Sequence, residues 1–198
     1  LFFLPFIIGL FFLATGTAVY LVKPESPAAS PFLLISCLIC LFFVTILDAN
    51  TSRWFVRLWL CYPLFGAASV HLFLIFPEER GFIKRKPSLK YLPYLPAGAI
   101  ILAQQIYLYQ PKIYIYLFRL SPLFMGAVYF LNFLILWDSH WKALSPIVKR
   151  KVKILIMGLF LTTSFGALWS IAYPLGSTRL TLDQALILSI LFPIFMGY

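Results

Sequence analysis

The histidines and cysteines of this chain are the side chains best suited to metal, haem or thiol chemistry, and they are few. The 198-residue chain has two histidines, His71 and His140, and three cysteines. Cys37 and Cys40 have the C-x-x-C spacing of redox and metal sites, but they lie inside an apolar run and no second pair accompanies them. A single histidine in such a run more often bonds to a neighbouring helix than it binds a metal or haem. We therefore predict buried cysteines, a hydrogen-bonded His71, and neither a metal ion nor a cofactor.

The acidic and catalytic residue types also argue against chemistry within this chain. Each acidic side chain falls outside the long apolar runs, at Glu25, Asp48, Glu78, Glu79, Asp138 and Asp183. Proton-driven transporters normally need an ionisable relay inside the membrane, and a retinal protein needs a lysine there, so both classes are disfavoured. The sequence has no glycine-rich phosphate loop, no HExxH and no GxSxG motif. We predict no catalytic residue in these 198 positions.

Arg119 is the ionisable side chain best placed for ligand binding, because it lies inside an apolar run close to Pro122. A proline in a helix frees a backbone carbonyl one turn earlier. Two interpretations stay open. Either the guanidinium reaches outward to the lipid headgroups, or it pairs with Asp48 or lines an outer polar cavity with Gln104 and Gln105. With His71, these residues form the candidate ligand-binding set: Arg119, Gln104, Gln105, Asp48 and His71.

The surrounding composition indicates that lipid is the main solvent of the chain. It is 62% hydrophobic and 11% charged, whereas a soluble domain is about 45–50% apolar and about 25% charged. A soluble globular enzyme, a disordered chain and a coiled coil are thereby excluded, since a domain of this size cannot bury such an excess. Helices of roughly 20 apolar residues span a bilayer. The sequence predicts an all-α bundle of seven transmembrane helices, at 2–22, 32–47, 55–76, 91–109, 113–137, 154–175 and 185–198.

The distribution of charge gives the predicted bundle an orientation. The net charge of +10 comes from 16 basic and 6 acidic residues. The predicted loops 23–31, 77–90 and 138–153 hold 11 basic side chains, one in the first and five in each of the others, whereas the remaining three loops carry one each, Arg53, Lys112 and Arg179. Because basic loops stay in the cytoplasm, we predict an N-out, C-in protein of the bacterial cytoplasmic (inner) membrane. No loop is long enough to form a folded basic face, so the lipid bilayer is an expected partner and nucleic acid is not.

A stripe of small residues marks the sixth predicted helix, at Gly158, Thr162, Gly166 and Ser170. Small residues spaced four apart allow two helices to approach closely. The stripe is interpreted either as a packing face inside the bundle or as the contact of a homodimer.

Several loop motifs resemble, in order, those of a bacterial seven-helix sensor region. The segment from His71 to Arg80, with Phe-Pro after the apolar run, resembles the H-x4-FP turn that closes its third helix. Residues 91–96, with two prolines, are similar to the start of its fourth helix. Residues 145–158 resemble its basic loop and glycine-bearing sixth helix, 23–28 its first cytoplasmic turn, and 191–198 its seventh helix.

This region precedes the kinase part of ComP-like histidine kinases, and similar regions precede some PP2C-type phosphatases and nucleotide cyclases. The resemblance implies that residues 1–198 form one membrane sensor domain, which relays a membrane-borne, small hydrophobic or peptide signal to a cytoplasmic output domain. Both ends look trimmed, since the chain begins with Leu1, and the output domain is expected beyond residue 198. The parent is expected to be a histidine kinase, with a phosphatase or cyclase as alternatives. A small transporter or channel subunit is the alternative from another class, and it would need a water-filled polar pathway.

Overall fold

Helices account for every regular element in the described part of the computed structural model, which covers residues 3–45, 61–142 and 145–172. The α-helices in chain order are α1 (Phe3–Val22), α2 (Ala29–Thr45), α3 (Cys61–Ile75), α4 (Gly81–Arg85), α5 (Tyr94–Ile106), α6 (Pro111–Lys142) and α7 (Pro146–Ala172). A 3-10 helix, Pro87–Tyr91, lies between α4 and α5. The predicted all-α class is confirmed. The predicted segment 185–198 and residue Asp48 lie outside the described residues.

Helix boundaries differ most from the sequence prediction in the third basic loop. α6 continues to Lys142, beyond the predicted end at residue 137, and α7 begins at Pro146. The predicted loop 138–153 is therefore wrong in extent and shrinks to the few residues between these helices. Proline suits the first turn of a helix, and lysine and arginine are good helix formers. An apolar run marks the lipid-compatible part of a helix and does not mark its ends.

Consecutive helices pack against one another, as short connections between antiparallel helices predict. α2 contacts α1 and α3, and α6 contacts α3, α5 and α7. One apolar core joins them, with Phe12, Ile35, Phe73 and Leu136 fully buried. α1 and α2 come especially close at Gly16, where an added Cβ would lie 2.4 Å from the Cβ and Oγ atoms of Ser36.

α6 is long and apolar enough to cross a membrane, and it continues through Pro122 without a break. α1, α2 and α3 contain shorter apolar stretches, at Phe6–Val22, Ala29–Thr45 and Tyr62–Ile75. Roughly 20 residues are needed to cross the hydrocarbon core. Among the described residues, one helix is thus both long and apolar enough to span, and the seven-span arrangement stays a prediction.

Candidate functional site

The loops that carry most of the basic side chains meet at one end of the helix array. Lys23 of the α1–α2 loop, Phe76 after α3 and Lys151 near the start of α7 line one groove. Arg80, after α3, forms an ion pair with Asp138 near the end of α6. The three predicted cytoplasmic loops therefore lie at the same end of the described helices. We call this region the basic end; it comprises residues 23–28, 76–93, 138–142 and 145–151.

Arg80 connects the loop after α3 to the last turns of α6. Its Nη1 donates to Asp138 Oδ2 at 2.7 Å, and its Nη2 donates to Ser139 Oγ at 2.8 Å and to the carbonyl of Ile135. Lys142 Nζ lies 2.8 Å from the other carboxylate oxygen of Asp138. We call this set of five residues the Arg80 junction. A planar guanidinium that meets several acceptors fixes geometry better than a single ion pair does.

The Arg80 junction is partly shielded from water. The Arg80 side chain is 18% exposed and that of Asp138 is 37% exposed. Asp138 is the first residue after the predicted span 113–137, and the hydrogen bond from Lys142, together with Arg80, lowers the pKa of its carboxyl group while partial burial opposes that change. Because the folded-state pKa is lowered, the carboxylate is ionised at neutral pH and the junction weakens only as the pH falls through that lowered value.

A buried side chain and a backbone hydrogen bond hold the same loop in place. Ile83 of α4 is fully buried and belongs to the main core. The backbone N–H of Arg80 also donates to the carbonyl of Leu74 at 3.4 Å. The connection from α3 to α5 is therefore an ordered element, and displacement of α3 relative to α6 would strain it.

His71 lies in an aromatic cluster that joins α3 to the beginning of α5. The side chain is buried, and its Nδ1 shares a hydrogen bond with Tyr94 Oη at 3.3 Å. The imidazole also meets the edges of the rings of Tyr91 and Tyr94, with centroids 5.2 and 5.9 Å away. This is the interhelical type of histidine that the sequence predicts. Within the described ranges, no three His, Cys, Asp or Glu side chains are grouped so that they could hold a metal ion.

Three members of the candidate ligand-binding set, Gln104, Gln105 and Arg119, differ in burial. Gln104 is fully buried, and its Nε2 donates to Ser121 Oγ at 2.7 Å and to the Leu117 carbonyl at 2.9 Å. Arg119 is exposed, because it lies about 200° around α6 from Leu117. Gln105 is exposed as well. The structure thus does not bring Arg119 and Gln105 together with Gln104.

A second buried polar pair joins α3 to α6. Asn132 Nδ2 donates to Ser69 Oγ at 2.8 Å, and Ser69 Oγ donates to the carbonyl of Gly66 at 2.8 Å. Sequence reasoning missed this pair and the Arg80 junction. Opposite charges at Arg80 and Asp138, both next to apolar runs on the predicted cytoplasmic side, were the available signal for the junction.

The cysteines do not match the expected burial. Cys37 is exposed and Cys40 is half-buried, and both are free thiols. The prediction that both would be buried is wrong for Cys37. α2 is apolar around its whole circumference, so hydrophobicity alone does not indicate which face meets the protein.

No protein-family model matches the chain, and neither a curated protein nor a solved structure matches it significantly. Geometry and charge therefore indicate what the site can do. The basic end offers charge-assisted hydrogen bonds that connect helices and an apolar groove bordered by cations. These features suit mechanical coupling and contact with lipid.

Proposed function

We propose that this chain is a multi-span input module of a bacterial signalling protein, N-out and C-in in the cytoplasmic membrane. The observation that carries the proposal is that the two predicted loops rich in lysine and arginine meet Lys23 of the α1–α2 loop at one end of an array of apolar helices. Basic segments remain on the cytoplasmic side of a membrane, so this arrangement favours crossing of the bilayer by successive helices. The parent protein would be a sensor histidine kinase, as the resemblance of the loop motifs suggests.

The Arg80 junction supplies the coupling that such a module needs. A signal that binds among the helices must favour one of two packing arrangements through differential affinity. Because Arg80 ties the end of α3 to the end of α6, a shift of either helix would move the loop between α3 and α5 at the cytoplasmic surface. The signal would be membrane-borne, a hydrophobic molecule or a lipid-soluble peptide, since α6 and the shorter apolar helices expose apolar surface to the bilayer.

Cysteine accessibility tests the orientation. In a variant without Cys37, Cys40 and Cys61, single cysteines are placed at Lys84, at Lys149 or, as the opposite control, at Lys112. In right-side-out vesicles, a membrane-impermeant maleimide should label position 112 at once and positions 84 and 149 only after permeabilisation. Labelling of 84 and 149 from the outside, or recovery of the chain in the soluble fraction, would contradict the proposal.

Signal relay is tested in the parent protein by comparing two arginine variants. Arg80→Ala should change basal kinase output at unchanged membrane level, because it removes the link between the loop after α3 and the end of α6. Arg85→Ala removes the same charge from an exposed position in the same loop and should leave output unchanged. Equal output from both variants would remove the relay mechanism.

Solute flux separates the sensor from the transporter or channel alternative. Buried polar side chains pair between helices, as Gln104 does with Ser121 and Asn132 with Ser69. Purified chain in liposomes should therefore leave ions and small solutes trapped. Protein-dependent flux would overturn the sensor proposal in favour of the transport class.

A further inference from the structure

An apolar groove opens at the basic end between α1, α2, α3 and α7. Its volume is about 390 Å³, within the range of roughly 300–1,000 Å³ typical of small-molecule sites. Phe32 of α2, Leu72 of α3 and Leu155 of α7 form the buried part of the wall. These three side chains belong to the main core, so the groove is a fixed feature of the helix packing.

Two cations border this apolar surface. Lys23 and Lys151 both line the groove and both are exposed, and they belong to different elements, one after α1 and one near the start of α7. Ser26 adds a hydroxyl group, and none of the described residues that line the groove is acidic. Glu25, in the same turn as Lys23, is exposed and does not line the groove.

This combination selects an anionic amphiphile. Apolar walls favour a hydrocarbon chain, at about 25 cal/mol per Å² of apolar surface removed from water. Ammonium groups bind phosphate as point charges, and basic pockets between helices on the cytoplasmic side of a membrane bind anionic lipid headgroups. An uncharged hydrophobic molecule would use the walls and leave the two cations unpaired. A zwitterionic lipid would bring a phosphate together with a cationic group that the two lysines repel.

We propose that this groove binds one anionic phospholipid of the inner leaflet, with an acyl chain along Phe32, Leu72 and Leu155 and the phosphate between Lys23 and Lys151. The inference rests on the proposed function, because it requires the basic end to lie at the inner leaflet. It goes beyond the general attraction of basic loops to anionic lipid, since that attraction needs neither the groove nor these two lysines. Contacts from α1, α2, α3 and α7 to one lipid would make their packing sensitive to its presence.

Native mass spectrometry of the full 198-residue chain tests the headgroup contact. The chain in detergent is titrated with phosphatidylglycerol or with phosphatidylcholine, and we expect one tightly retained phosphatidylglycerol. Lys23→Gln with Lys151→Gln should weaken its retention about 30-fold, because each cation near an anionic membrane surface contributes about a factor of five. Lys84→Gln with Lys149→Gln removes the same charge outside the groove and should leave retention unchanged.

A groove-filling variant tests the acyl chain. Ala18 lines the groove and is exposed, so Ala18→Phe should block the groove without disturbing the core. It should abolish phosphatidylglycerol retention, whereas glycerophosphoglycerol, which has the headgroup and no acyl chains, should not bind to the parent chain. Equal weakening by the two lysine pairs would reduce the effect to general leaflet attraction and overturn the site. Retention of palmitate but not of phosphatidylglycerol would overturn it in favour of a fatty-acid site.

The two proposals fail separately. If positions 84 and 149 are labelled from outside the cell, the orientation is wrong and the inner-leaflet lipid site is lost with it. If the orientation holds and the Lys23/Lys151 variant retains phosphatidylglycerol, the lipid site alone is wrong.

Discussion

The basic end and the helix interior are held together by different kinds of interaction. At the basic end, one guanidinium meets a carboxylate, a hydroxyl and a carbonyl, and its side chain keeps some contact with solvent. In the interior, neutral amides donate to hydroxyls, as Gln104 does to Ser121 and Asn132 to Ser69, and all four side chains are buried. The charged side chains thus keep partial exposure, whereas the neutral polar side chains are fully enclosed by the helices.

The difference predicts where each region obtains its stability. Hydrogen bonds to charged groups contribute about 1.5–3 kcal/mol, whereas side-chain hydrogen bonds between membrane helices average about 0.6 kcal/mol. The interior must therefore depend more on close packing than on its polar pairs. Variants that remove packing, charge and neutral hydrogen bonds in turn should produce effects in that order.

Gly16→Ala should have the largest effect. The new Cβ would lie 2.4 Å from the Cβ and Oγ of Ser36, and Ser36 is fully buried, so α1 and α2 must separate. Overpacking of this kind costs about 1–3 kcal/mol, and we expect a value near the upper limit. The free energy of unfolding of the purified chain in mixed micelles measures it.

Gly98→Ala is the matched control, because a Cβ at Gly98 meets nothing within 4 Å. Alanine favours a helix interior over glycine by roughly 0.5–1 kcal/mol, so this variant should be slightly more stable than the parent. Equal destabilisation by both substitutions would show that close α1–α2 packing is not what makes position 16 sensitive.

Arg80→Ala should have the next largest effect, a loss of about 2 kcal/mol in the free energy of unfolding, because it removes charge-assisted bonds to three acceptors. Arg85→Ala, in the same loop and exposed, should change stability by less than about 0.5 kcal/mol. The difference between the variants should shrink in acid, since the lowered pKa of Asp138 keeps the pair charged at neutral pH and protonation removes it. A difference that does not vary with pH would assign the effect to packing of the Arg80 side chain.

Gln104→Met should have a smaller effect, about 1 kcal/mol, because methionine keeps the volume while the bonds to Ser121 and Leu117 are lost. Gln105→Met is the control on the exposed face of the same helix and should be neutral. A loss at Gln104 larger than that at Arg80 would reverse the ranking of the two regions.

Much of the helix content could be predicted from the sequence, because a single apolar run of about 20 residues satisfies its own backbone hydrogen bonds in lipid by forming a helix. Helix ends were harder to place. Hydrophobicity predicts a loop for the basic residues 149–153, whereas the structure includes them in the helix that begins at Pro146. Burial within an apolar helix such as α2 was not predictable either, since Cys37 and its neighbours are equally apolar on every face.

The site was predictable only in part. The count of basic residues in each loop predicts that these loops lie on one side. The structure adds the pairing of Arg80 with Asp138, which such a count does not contain. Arg80 contacts Asp138, 58 positions later in the sequence, because α3 packs against α6. Arg119 does not share a cavity with Gln104, because Gln104 bonds to the backbone at Leu117 and residue 119 lies on another face of α6.

Arg119→Ala should have the smallest effect on stability, less than about 0.5 kcal/mol, because the side chain is exposed. That small effect makes the variant informative about function. If Arg119 only reaches outward to the headgroups, signal output in the parent protein should also be unchanged, and Arg119→Lys should behave like the parent. Output lost in Arg119→Ala at unchanged stability and membrane level would instead assign Arg119 to signal binding at the outer surface, with the basic end as the responding region. The outer side of the helices would then bind the signal, and the basic end at the inner side would relay it.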